Sequence, residues 1–167
     1  MKKYLVIGNP IEHSLSPLIH NYWMKKYKLV DNIYEKRKVE EKDLKEIIKE
    51  IRENEIVGVN VTVPFKKLII PFLDKLDFSA EETQSVNTLF KINNKIIGYN
   101  TDRTGFRDTI RKPYPMSNNS LMPLPLEDKC IFIIGAGGVT SSVISALKSE
   151  GANNIISSFT FKSRNYG

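Results

Sequence analysis

Short polar side chains follow several apolar segments of this sequence, at points where strands are predicted to end. Their types are hydroxyls, amides, one ammonium and one carboxylate, which together suit a small molecule that carries a carboxylate and several hydroxyls. A plain turn would more often use Gly, Asp or Asn. The polar residues that follow the predicted strands are Ser14, Ser16, Asn60, Thr62, Lys66, Asn87 and Asp102.

Each type of side chain indicates one part of a chemistry. Serine hydroxyls at a helix N-terminus favour an anion, because free N–H groups and the helix dipole point towards it. A lysine beside an aspartate can move a proton to or from an oxygen whose charge changes. Taken singly, Lys66 is better interpreted as a solvated lysine and Asp102 as a helix cap. The set holds too few suitable ligands for a metal, so none is expected.

Composition and charge narrow the class of protein. Hydrophobic residues make up 41% of the 167 residues, which is enough for a packed core. The net charge of +6 is scattered, and charges alternate in sign along 45–53, so a nucleic-acid partner is not expected. No run is long enough to span a bilayer. The single cysteine, Cys130, predicts a buried inert thiol and a cytoplasmic protein.

The pattern of apolar residues predicts strands that alternate with helices. Such alternation is typical of an α/β fold with a mainly parallel sheet flanked by helices, and ligands bind outside the carboxyl ends of its strands. Ser16 and Pro17 predict a helix start with the serine as N-cap. The predicted strands are 4–7, 33–39 (near an edge), 56–63 (central), 85–92 and 95–99, and the predicted helices are 16–28, 41–54, 65–76 (interrupted at Pro71) and 102–112.

A second segment follows a proline-rich stretch. Residues 113–128, PYPMSNNSLMPLPLED, predict a linker between a domain at 1–112 and a segment at 129–167. In that segment a strand leads through Gly135, Ala136, Gly137, Gly138 and Val139 into a helix. Such a loop cradles the pyrophosphate of a dinucleotide, although Thr140 stands at the third glycine position. A tight turn without a ligand stays open as the alternative.

Five motifs in order resemble the shikimate dehydrogenase family. They are GNPIEHSLSPLIHN (8–21), GVNVTVPFKK (58–67), SVNTL (85–89), GYNTDRTGF (98–106) and IGAGG (134–138). The resemblance covers residues 4 to 152. It implies NADPH-dependent reduction of 3-dehydroshikimate to shikimate in chorismate and aromatic amino acid biosynthesis. It also implies the first βαβ part of a Rossmann-like cofactor domain at 129–167.

The resemblance assigns a role to each candidate residue. It implies that Ser14 and Ser16 hold the substrate carboxylate, and that Lys66 and Asp102 form a catalytic pair. The backbone from Gly135 to Val139 holds the pyrophosphate of NADP(H). The residues that hold ring hydroxyls are Asn60, Thr62, Asn87 and Asp102. His13 and His20 are expected to make hydrogen bonds only, and the assembly is expected to be a monomer or homodimer.

The chain also departs from the family pattern. Gln84 and Ser85 replace a common Gly-Ala pair, and Arg103 stands where a small residue is frequent. The family's Asn-Arg-Thr turn and its returning C-terminal helix have no match, so the segment at 129–167 is expected to be truncated. No acid follows Glu150, and the tail carries Lys162 and Arg164, which favours NADP over NAD. Two alternatives stay open: a shikimate-binding module without catalysis, and a quinate or shikimate dehydrogenase that uses NAD.

Overall fold

A six-stranded sheet organises the first hundred residues of the chain. The computed structural model describes residues 1–111 and 126–158. The strands are β1 (Lys2–Gly8), β2 (Asn32–Lys38), β3 (Gly58–Val61), β4 (Lys75–Leu76), β5 (Thr88–Ile92) and β6 (Lys95–Tyr99). Their order in the sheet is β2-β1-β3-β5-β6-β4.

The sheet is mainly parallel, as the alternation of strands and helices predicted. β1 runs parallel to β2 and β3, and β4 runs parallel to β6. β5 is antiparallel to both of its neighbours, β3 and β6. Its turn to β6 contains Asn93 and Asn94 with φ of 48° and 61°, a conformation that asparagine tolerates better than most residues. The predictions of an edge strand near 33–39 and a central strand near 56–63 are confirmed.

Helices connect the strands and complete the core. They are α1 (Ser16–Lys26), α2 (Leu44–Arg52), α3 (Phe65–Leu68), α4 (Phe78–Thr83) and α5 (Thr101–Arg111). A short 3-10 helix, Glu41–Asp43, precedes α2, so the predicted helix at 41–54 is shorter in the structure. Residues Leu44, Ile47, Ile48 and Ile51 of α2 are all buried, at the spacing that the sequence predicted. Full burial of side chains of this size contributes about 2 kcal/mol each.

The sequence predictions for Ser16 and Cys130 are wrong. Ser16 is not the N-cap of α1, because Leu15 occupies that position and makes no side-chain cap bond. Cys130 is exposed rather than buried. Successive side chains of a strand point to opposite faces, and Cys130 shares the exposed face of its strand with Phe132 and Ile134.

The chain divides into two compact units, Met1–Thr101 and Asp102–Gly167. The described part of the second unit contains β7 (Cys130–Ile134), α6 (Thr140–Ser149) and β8 (Asn154–Ser158), and β7 pairs parallel with β8. Arg111 Nε donates to both carboxylate oxygens of the fully buried Glu150, at 2.7 and 2.8 Å. Arg103 Nε donates to Ser145 Oγ at 2.7 Å, so this departure from the family pattern has a partner on α6.

Parts of the predicted organisation fall outside the described residues. Most of the predicted linker at 113–128 lies there, as do Lys162 and Arg164 in the tail. The predicted domain limits 1–112 and 129–167 therefore stay a prediction. Within 1–111 and 126–158, no helix is long and apolar enough to cross a membrane.

Candidate functional site

A cleft at the carboxyl ends of β1 and β3 gathers three of the predicted site residues. Its volume is about 300 Å³, and Ser14, Ser16 and Thr62 line it together with His13. The loop after β1 and the residues after β3 meet because the two strands are parallel neighbours. Backbone bonds hold them: Thr62 N donates to Ile7 O at 2.9 Å.

Gly8 allows this close approach between the end of β1 and Thr62. A Cβ at Gly8 would lie 2.5 Å from Thr62 Cγ2 and 3.2 Å from Val63 O. Real Cβ atoms do not come so close to a methyl group, so any larger residue forces Thr62 to move. Gly8 therefore determines where the Thr62 side chain enters the cleft.

A run of side-chain hydrogen bonds crosses the sheet from β2 to α5. Tyr34 Oη lies 2.6 Å from Asn60 Oδ1, and Asn60 Nδ2 lies 2.9 Å from Thr88 Oγ1. Thr88 Oγ1 lies 3.1 Å from Asn87 Oδ1, and Asn87 Nδ2 lies 2.9 Å from Thr101 Oγ1. Two predicted site residues, Asn60 and Asn87, are thus joined through Thr88. We call the five residues Tyr34, Asn60, Thr88, Asn87 and Thr101 the amide run.

Tyr34 connects the amide run to Ser16. Its side chain is only 4% exposed, and burial raises the pKa of its phenol to about 12, while a hydrogen bond with Ser16 acts in the opposite direction. The His20 ring stacks on Tyr34, with ring centroids 4.2 Å apart and planes at 5°. Burial lowers the pKa of His20, which favours the neutral form of its imidazole.

Lys66 lies in the first turn of α3 and is buried, with 8% of its surface exposed. Its backbone oxygen accepts from Val86 N at 2.8 Å, which holds α3 against the residue that precedes Asn87. Lysine is seldom buried to this degree, so interpreting Lys66 as a solvated lysine is wrong. A buried lysine in this position is a candidate proton donor.

The junction before Asp102 is built from buried polar groups. Asn100 is 1% exposed, and its Nδ2 donates to Thr83 Oγ1 at 3.0 Å and to Ser85 O at 2.9 Å. Asn100 N donates to Ser79 Oγ at 3.1 Å. Asp102 follows in the first turn of α5 and belongs to the second unit. The pairing of Lys66 with Asp102 therefore stays a prediction.

The glycine-containing loop of the second unit fits a pyrophosphate. Gly135 has a φ of 102°, which suits glycine, and a Cβ placed at Gly135 or Gly137 would meet no atom within 4 Å. The N-cap of α6, Val139, makes no side-chain cap bond, and the first turn of α6 carries no acid. Space beside these glycines and a helix start without an acid both suit a bound phosphate.

Sequence reasoning missed Tyr34, Thr88 and His13 as residues of the site. Thr88 belongs to the SVNTL motif and Tyr34 lies in a polar-alternating strand without a motif, so neither position signals a role in the site. Both residues, with Asn60 and His20, line a second cleft of about 500 Å³ over the sheet. Among residues 1–111 and 126–158, no group of three His, Cys, Asp or Glu side chains is placed to hold a metal.

Comparison with known proteins decides the family. Residues 6–89 match the model of the shikimate dehydrogenase substrate binding domain. This chain belongs to the shikimate dehydrogenase family. Ser14, Ser16 and Thr62 lie within that matched range. So do all residues of the amide run except Thr101.

Individual relatives agree with the family model. A shikimate dehydrogenase (NADP(+)) of Pelagibacter ubique (strain HTCC1062) is 52% identical over 147 residues, which are 88% of this chain and 52% of the relative. The chain thus spans about half the length of the curated relatives that it matches.

Solved structures of shikimate dehydrogenases have the same fold. The enzyme of Listeria monocytogenes in complex with shikimate and NAD has a TM-score of 0.80 at 29% identity, over 99% of this chain and 54% of that chain. The enzyme of Thermus thermophilus in complex with NADP(H) and shikimate has a TM-score of 0.76 at 28% identity, over 94% of this chain and 56% of that chain.

Proposed function

We propose that this chain binds shikimate and 3-dehydroshikimate and contributes to the NADPH-dependent reduction of the latter, in chorismate and aromatic amino acid biosynthesis. The observation that carries the proposal is the shared cleft of Ser14, Ser16 and Thr62. Hydroxyl groups from two loops converge there at the N-terminus of α1, which carries no acid in its first turn. That combination suits a carboxylate with neighbouring hydroxyls.

The ring of the substrate extends from this cleft towards the amide run. Ser14 and Ser16 hold the carboxylate, and Thr62, Asn60 and Asn87 meet ring hydroxyls, as does Asp102. The mixed set of hydroxyl and amide groups matches alcohols, because both kinds of group donate and accept. A substrate with several hydroxyls makes more of these bonds than a simple keto acid.

Lys66 supplies the proton in the proposed reaction. Reduction converts the ketone carbon into a carbinol carbon, and its oxygen gains a proton from the Lys66 ammonium as negative charge develops there. Asp102 is the second member of the proposed catalytic pair. The chemistry that NADPH supplies when bound is a hydride for the ketone carbon. The loop Gly135, Ala136, Gly137, Gly138 and Val139 holds its pyrophosphate.

Two measurements on the purified full-length chain test this proposal. Titration calorimetry with shikimate tests binding, and loss of NADPH absorbance with 3-dehydroshikimate tests turnover. Lys66→Ala should lower turnover by about a thousandfold, the scale of a lost general acid together with its charge. Its control is Lys67→Ala, since Lys67 is the next residue in the same turn and is exposed.

The outcomes separate the alternatives. Turnover that persists in Lys66→Ala contradicts the proton-donor role. Shikimate that raises the melting temperature while NADPH does not, without turnover, indicates a binding module. Faster turnover with NAD or quinate indicates a quinate or shikimate dehydrogenase that uses NAD; the Listeria relative is described with NAD. The cytoplasmic location and the monomeric or homodimeric state stay predictions.

A further inference from the structure

Two backbone groups determine how the amides of Asn60 and Asn87 are turned. Asn87 O can only accept, so the atom of Asn60 that faces it at 3.3 Å is the donor Nδ2. Thr101 N can only donate, so the atom of Asn87 that faces it at 3.0 Å is the acceptor Oδ1. Neither amide can be reversed without losing a backbone partner.

The direction of every other bond in the amide run follows from these two. Thr88 Oγ1 must accept from Asn60 Nδ2 at 2.9 Å, and it must donate to Asn87 Oδ1 at 3.1 Å. At the β2 end, Tyr34 must donate to Asn60 Oδ1 at 2.6 Å. The side-chain donors of the run therefore point from β2 towards α5, and bonds aligned in this way polarise one another.

The hydroxyl of Thr88 links the two side-chain amides. It lies at the start of β5, the antiparallel strand between β3, which carries Asn60, and β6. An apolar side chain of the same shape would leave Asn60 Nδ2 with one acceptor fewer and Asn87 Oδ1 with one donor fewer. Each amide could then turn more freely towards a ligand.

We propose that Thr88 is a positioning residue of the substrate site: its hydroxyl holds Asn60 so that this amide presents only an acceptor to a ligand. The proposal rests on the proposed function. Both hydrogens of Asn60 Nδ2 are used, by Asn87 O and Thr88 Oγ1, while Oδ1 keeps one lone pair beside Tyr34.

A selectivity follows from this arrangement. A ligand group that meets Asn60 has to donate a hydrogen, so a hydroxyl binds there, whereas a keto oxygen or an ether oxygen does not. The ketone of the oxidised substrate is thereby directed away from Asn60 and towards a donor, for which the Lys66 ammonium is the candidate. Thr88 thus acts on binding orientation without touching the reacting atoms.

Three variants of the full-length chain test the proposal. Thr88→Val removes the hydroxyl and keeps the shape, and Thr88→Ser keeps the hydroxyl. Thr109→Val is the matched control, because the Thr109 hydroxyl bonds locally, to Phe106 O at 2.6 Å on an exposed turn of α5. The first measurement is the exchange rate of the Asn60 side-chain amide hydrogens, by NMR on isotope-labelled chain without ligand. The second is the shikimate Kd by calorimetry.

We expect Thr88→Val to speed exchange at Asn60 and to weaken shikimate binding, each by about tenfold, the scale of one lost hydrogen bond. Thr88→Ser and Thr109→Val should stay within about twofold of the unmodified chain. Normal exchange and binding in Thr88→Ser would show that the hydroxyl of Thr88, and not the packing of its methyl group, holds Asn60. Equal exchange rates and equal Kd values in Thr88→Val and the unmodified chain would overturn the proposal.

The two measurements distinguish failure of this inference from failure of the proposed function. If the unmodified chain binds no shikimate, the proposed function fails, and the exchange rates alone decide whether Thr88 holds Asn60. Should Thr88→Val fail to fold, Thr88→Ala takes its place, because it removes the same hydroxyl and adds no bulk. A tenfold faster exchange at Asn60 then supports the positioning role, and an unchanged rate contradicts it.

Discussion

The side-chain amide of Asn21 is hydrogen-bonded to both backbone groups of Tyr34. Asn21 Oδ1 accepts from Tyr34 N at 3.0 Å, and Asn21 Nδ2 donates to Tyr34 O at 2.8 Å. No side chain of α1 is fully buried, so this amide is a main attachment of α1, which begins at Ser16, to the edge strand β2. Within the motif at 8–21, Asn21 thus has a structural role that places Ser16.

Asn21→Ala should lower the free energy of unfolding by about 2 kcal/mol, since two hydrogen bonds are lost and two backbone groups of Tyr34 lose their partner. Urea unfolding measures this change. Asn32→Ala is the control, because the Asn32 amide bonds to the nearby Leu29 O and Val30 O on the surface. Equal stability of the two variants would show that the amide does not attach α1.

The raised pKa of Tyr34 predicts a pH dependence at the alkaline end. The folded pKa of about 12 lies above the ordinary value of 10.0, so the neutral phenol contributes stability that is fully present below pH 10 and is lost as pH rises through about 12. Ultraviolet titration of the folded chain should contain one tyrosine near 12, and that component should be missing in Tyr34→Phe. A difference curve centred near 10 contradicts the burial of this phenol.

Gly8→Ala tests the close approach that positions Thr62. The added methyl group would overlap Thr62 Cγ2, so we expect a loss of about 2 kcal/mol in stability and weaker shikimate binding. Gly58→Ala is the matched control in a neighbouring strand, because its Cβ would meet ordinary contacts from 3.5 Å outwards. Calorimetric titration and thermal unfolding of both variants measure the difference. Undiminished binding in Gly8→Ala would contradict a role for Gly8 in placing Thr62.

Ser85 departs from the family pattern, and its buried hydroxyl lowers the stability of the fold. Among the described residues, its Oγ is the buried side-chain oxygen or nitrogen atom without a hydrogen-bond partner, and Ser85 is 0% exposed. Ser85→Ala should therefore raise the free energy of unfolding by about 1 kcal/mol. Ser79→Ala should do the opposite, because the Ser79 hydroxyl donates to Asp77 Oδ1 at 2.6 Å and accepts from Asn100 N. A destabilised Ser85→Ala would show that this hydroxyl has a partner in solution.

Local patterns in the sequence determined much of the fold, because they depend on residues close together in the chain. The spacing of Leu44, Ile47, Ile48 and Ile51 predicted the buried face of α2, and Asn93 with Asn94 predicted the turn of the β5–β6 hairpin. Strand ends followed by polar residues predicted one site; Ser14, Ser16 and Thr62 line one cleft, and the complete site stays a prediction. The burial of Cys130 was wrong because an apolar run does not reveal which face of a strand is covered.

Only the tertiary structure decided which side chains meet across the sheet. Tyr34 and Asn60 are 26 residues apart, and Asn60 and Thr88 are 28 apart, so no local pattern links them. Their contact depends on the strand order β2-β1-β3-β5 and on the antiparallel direction of β5. A hydrogen bond needs its donor and acceptor atoms close in space, typically about 3 Å apart. The sequence by itself therefore supplied the candidate polar residues, while strand order and register decided their partners and the direction of each bond.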